Sequence, residues 1–61
     1  MSRSEMFRRL RARHGFSAEY VASVCDVSVA ELLGWESGKR KPGLKGLVRL
    51  CMIYHIPTQV G

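Results

Sequence analysis

No apolar run in this 61-residue chain extends beyond the five residues 50–54, far short of the roughly 20 needed to cross a bilayer. Nothing near Met1 has the apolar core of a secretory signal, so a cytoplasmic location with no membrane contact is expected. Cysteine is scarce. Cys25 and Cys51 share no CxxC spacing, have no His at metal-ligand distance in sequence, and each falls in an apolar-periodic segment. They are therefore expected as two reduced core thiols rather than a disulfide or a metal site. Acidic residues are few as well: five Asp and Glu stand against ten Lys and Arg, a net charge of +5. That balance disfavours cationic partners and suits a polyanion. There is no room for a catalytic domain beside a sensor domain. No nucleophile–base set, metal-ligand set or phosphate-cradling loop is visible, so neither an enzyme nor a cofactor is expected. His14 and His55 fall at helix ends, where filling a turn accounts for them.

What the chain does have is helical punctuation. "SRSE" sets Ser2 three residues before Glu5, a capping-box pattern opening a helix over 3–14. Met6, Phe7, Leu10 and His14 follow at helical spacing, Arg3, Arg8, Arg9 and Arg13 lie largely on other faces, and Gly15 suits the stop. Phe16 is expected to fold back over that last turn. Ser17 caps a second helix over 17–25, with Val21, Ala22 and Cys25 inward; Asp26 suits a left-handed turn and Val27 plugs the core. Ser28 and Glu31 repeat the capping box for a helix over 28–37, with Leu32 and Trp35 on one face. After the cationic run Lys39–Arg40–Lys41, Pro42 breaks the chain. A fourth helix over 43–54 carries the stripe Leu44, Leu47, Leu50, Cys51 and Tyr54, and Thr58 offers the start of a fifth turn. The class is all-α: a compact four- to five-helix bundle forming one domain over 1–61.

The pieces "SAEYVASVC", "DVS" and "VAELLGWESG" have the dimensions of two short helices joined by a tight turn. With "FRRLRARHGFS", "YHIP" and above all "WESGKRKP", they resemble the helix-turn-helix domains of the Cro and lambdoid phage repressor type. The last stretch is similar to that family's aromatic–Glu–x–Gly–Lys–x–x–Pro signature, and the resemblance runs from about Phe7 to Thr58. It implies a lambda-repressor-like fold and a nucleoid-associated regulator that binds double-stranded DNA, commonly as a homodimer. It also implies an ion pair between Arg11 and Glu36 that locks the first helix to the third. Lys39, Arg40 and Lys41, with Ser17 and Ser28 at helix starts and Lys45 one turn into the fourth helix, would meet phosphates.

The reading positions depart from the family pattern. Ala18 stands where members usually carry Gln. Val29, Ala30, Leu33 and Gly34 stand where members carry hydrogen-bonding side chains. Val29 and Ala30 suit thymine methyls, and Glu31 suits a cytosine amino group, but direct base readout is poor. Val24, Val29, Ala30 and Leu33 instead suggest an apolar patch of the kind that meets proteins. Two functions therefore stay open. One is a DNA-binding regulator held mainly by phosphates; the other is the same fold turned to protein binding, such as an antirepressor docking on a repressor through Val24, Val29 and Leu33. A homodimer surface is expected at Met52, Ile53, Ile56 and Val60.

Overall fold

The computed structural model describes residues 2–56. They form four helices: α1 (Arg3–His14), α2 (Ala18–Cys25), α3 (Val29–Ser37) and α4 (Leu44–Tyr54). The expectations for Thr58 and Val60 lie outside the described residues.

Each helix begins and ends at a residue chosen for the backbone. Ser2, Ser17 and Ser28 are extended N-caps, and their hydroxyls accept the N–H of Glu5, Tyr20 and Glu31 at 3.3, 3.0 and 3.0 Å. α4 starts from Gly43 with no side-chain cap. All four helices stop on a left-handed residue: Gly15, Asp26, Gly38 and His55. At the two glycines that conformation carries no Cβ penalty. At Asp26 and His55, with φ of 60° and 56°, it is paid for by the turn they close. Val27 N–H then reaches Ala22 O at 3.0 Å, tying the α2–α3 turn back to the helix before it.

The core is Phe7, Val21, Ala22, Cys25, Leu32, Trp35, Leu50 and Tyr54, with Leu10, Phe16, Val27, Leu47, Ile53 and Ile56 packed at its edge. Phe16 lies against His14 (ring centroids 5.3 Å apart, stacked) and near Tyr54 (6.1 Å), closing the α1–α2 turn over the end of α4. Gly46 is buried because α4 passes Trp35 so closely that a Cβ there would sit 2.7 Å from the indole ring. Cys25 is buried and Cys51 half-buried, both as free thiols.

Two stripe assignments need correction. Leu44 is 80% exposed, because the inward face of α4 runs through Leu47, Leu50 and Tyr54. Leu44 lines up instead with Val48 and Met52, all exposed and spaced four apart. Met6 is exposed on the outer side of α1, where it borders a shallow groove with Arg9, Leu10 and Arg13.

Candidate nucleic-acid interface

α3 is held in place by α1 and by α2. Glu36, in its last turn, is 4% exposed although charged. Arg11 Nε donates to Glu36 Oε2 at 2.8 Å, and Nη2 donates to Oε1 at 3.0 Å. The third guanidinium nitrogen, Nη1, donates to Phe16 O at 3.2 Å, so one side chain joins α1, the α1–α2 turn and α3. The hydrogen bonds that Arg11 donates to Glu36 hold the Arg11 pKa above its ordinary value, against the opposing effect of burial. α2 braces α3 across the tight turn 26–28. On the far side of α2, Arg49 Nη1 donates to Val24 O at 2.9 Å, tying α4 to the carbonyl end of α2.

Beneath this frame the Tyr54 hydroxyl is buried with no hydrogen-bond partner among the described residues. Burial, and after it the Glu36 charge, pushes its pKa up to about 12. Burial likewise pushes the Cys25 thiol up, with the Arg49 charge pulling the other way.

The outward surface of α3 is smaller than its sequence suggests. Val29 and Ala18 are half-buried and pack against the core. Val29 precedes Leu32 by three residues and Ala18 precedes Val21 and Ala22 by three and four, so each lies on its helix's inward face. Val24 is half-buried too. Among the sequence-derived reading positions, Ala30 and Leu33 are exposed, Leu33 at 44%. The four-residue apolar patch shrinks to those two.

Glu31 also differs from its expected role. Its backbone N–H completes the Ser28 cap, but its carboxylate does not reach back to Ser28. Oε2 instead accepts from the buried Trp35 indole Nε1 at 2.9 Å, and Oε1 lies 3.5 Å from Arg40 Nε. The i, i+4 spacing to Trp35 and a neighbouring cation outcompete the return half of the capping box. At α1 the Ser2 hydroxyl donates to Glu5 Oε1 at 3.2 Å, again without the full reciprocal pattern.

The loop after α3 brings the three cations to one edge. Lys39, Arg40 and Lys41 are exposed, and Lys39 and Lys41 form no ion pair among the described residues. Arg40 N–H donates to Gly34 O at 3.1 Å, and the Arg40 stem lies over Gly34. Lys45 reaches Asp26 Oδ2 at 3.5 Å, both groups exposed, a weak and easily exchanged pair. The hydroxyls of Ser17 and Ser28, having accepted a cap N–H, keep their own proton to donate. A cleft between the start of α1 and the loop is lined by Arg3, Phe7, Trp35, Arg40, Lys41 and Pro42. Arg3, Arg49 and Gly46 were not singled out by the sequence as contributors here. Arg3 and Arg49 carried no signal beyond charge, and Gly46 none beyond being a glycine in a helix.

Among the described residues no three His, Cys, Asp or Glu side chains could hold a metal ion, and no helix is long and apolar enough to cross a membrane. The fold and the edge just described define a helix-turn-helix domain: a short helix braced by another, flanked by cations. The helix-turn-helix family model of the Cro/repressor type matches residues 7–60, and the chain belongs to that family, whose members are DNA-binding regulators. No significant match is found among curated proteins or among solved structures.

Proposed function

We propose that this protein is a small transcriptional regulator that binds double-stranded DNA mainly through its sugar-phosphate backbone. The observation that carries the reading is the pair Lys39 and Lys41, exposed and unpaired among the described residues at the end of α3. In a chain of net charge +5, they form a cationic edge beside the helix that would enter the major groove. The amide ends of α2 and α3, with Ser17 and Ser28, add neutral phosphate contacts. Lys45 joins once a phosphate competes with Asp26. Ala30 and Leu33 offer methyl contacts to thymine, a modest source of discrimination.

A homodimer fits this role, because two-fold readers set two such helices one DNA turn apart. The exposed stripe Leu44, Val48 and Met52 supports it. Ile53 and Ile56, expected at that surface, are largely spent on the core. The working location that follows is the cytoplasm, on the nucleoid.

A gel-shift salt titration tests the proposal. Affinity should fall steeply with salt, and each phosphate-contacting lysine replaced should lower the log–log slope by about 0.9. No duplex binding at low salt overturns it. The exposed Leu33 favours a second reading, docking on a protein such as a repressor. That reading requires Leu33→Asp to abolish partner binding with the fold intact.

A further inference from the structure

The surface of α3 has no hydrogen-bonding side chain of its own at Ala30, Leu33 or Gly34, yet a guanidinium lies on it. Arg40 belongs to the loop, but its backbone N–H is tied to Gly34 O. Its Cβ, Cγ and Cδ run over Gly34 so closely that a Cβ at Gly34 would sit 3.1–3.2 Å from them. Its Nε ends 3.5 Å from Glu31 Oε1, two turns back from where the chain left the helix. Three separate contacts thus lay one loop side chain lengthwise on α3.

We infer that Arg40 is the base-reading residue of this protein, supplied to α3 from the loop through the gap that Gly34 leaves, and that its target is a guanine in the major groove. The inference rests on the DNA-binding reading above. The geometry of the donors carries it. Glu31 lies nearest the guanidinium at Nε, and neither Nη1 nor Nη2 makes a hydrogen bond among the described residues, on a side chain that is 66% exposed. Two parallel N–H donors match guanine O6 and N7, the commonest specific contact in the major groove. Glu31 is itself oriented by the buried Trp35 indole, so its carboxylate stays fixed beside the guanidinium, while the contacts at Gly34 set the path of the stem. Such support from behind reduces the freedom a long side chain loses on binding. It also gives the Glu31 carboxylate a role other than repelling phosphates. Lys39 and Lys41, on either side, keep the phosphate role, so the cationic run divides into one reader and two grips.

The test is selection of binding sites from random duplex, followed by affinities for the selected site and for unselected duplex at one salt concentration. Arg40→Ala should cut the ratio of the two affinities by about tenfold or more. Gly34→Ala keeps every charge but pushes the Arg40 stem outward by a few tenths of an ångström, and should cut the ratio by a smaller factor. Lys39→Ala and Lys41→Ala should lower both affinities together and leave the ratio. Equal losses on both duplexes for Arg40→Ala, or an unchanged ratio for Gly34→Ala, overturn the assignment while leaving DNA binding standing. No binding of the wild type to any duplex overturns both.

Discussion

Arg11 grips both carboxylate oxygens of Glu36, at 2.8 and 3.0 Å, from 25 residues away in the chain, while Glu36 is almost wholly removed from solvent. A buried pair of this geometry contributes little net stability but is costly to break from one side. Glu36→Gln should therefore destabilise the fold by about 2 kcal/mol or more, the Arg11 exposure of 23% softening the loss. Urea unfolding measures it, and an unchanged midpoint would show that the pair is dispensable.

The Tyr54 hydroxyl is buried without a partner, and its pKa is raised to about 12 from an ordinary value near 10. The unfolded chain gives up this proton first, so the contribution is complete below pH about 10 and is lost as the pH climbs towards 12. Tyr54→Phe should be neutral or mildly stabilising at pH 7. It should also flatten the alkaline fall in melting temperature, compared with wild type over the same window.

Two glycines in helices should respond in opposite directions to alanine. Gly46→Ala drives a Cβ to 2.7 Å from the Trp35 ring, a rigid neighbour in the core, and should cost on the order of 1–3 kcal/mol. Gly34→Ala meets only the flexible Arg40 stem and gains helix propensity, so stability should hold or rise by up to about 1 kcal/mol. Thermal melts of both variants check the pair of signs.

The two thiols should differ in reactivity. Cys25 is buried with its pKa raised, whereas Cys51 is half-buried. An alkylating reagent at neutral pH should label Cys51 first, and Cys25 only at the rate of unfolding. Peptide mapping over time distinguishes them.

Association should depend on the outer stripe of α4. Met52→Asp places a charge where the side chain is 66% exposed, so the monomer should fold normally. If the stripe is the dimer surface, sedimentation should show the dimer lost; a dimer that persists points to another face.

Helix boundaries and core were largely legible in the sequence because they rest on local chemistry. A serine cap, a left-handed stop at Gly15 or Asp26 and the inward spacing of Val21, Ala22 and Cys25 each act within a turn or two. What stayed hidden depends on how elements meet. Leu44 and Leu47 look alike on a helical wheel, but only Leu47 packs against the core. Val29 looks outward until α3 is docked. Glu31 has a complete local explanation in the capping box, yet its carboxylate is claimed by Trp35 and Arg40. Gly34 reads only as a position without a hydrogen-bonding side chain until the loop path lays Arg40 across it.

The left-handed stop at Asp26 and the Ser28 cap fix where α3 begins to wind, and Glu36 fixes its rotation at the other end. Nothing at Ala30 or Leu33 takes part in either anchor. The outer side of α3 therefore behaves as a rewritable strip on a fixed axle: side chains can be exchanged there without moving the helix that presents them. Substitutions at Ala30 and Leu33 should leave the phase of the helix beneath them unchanged.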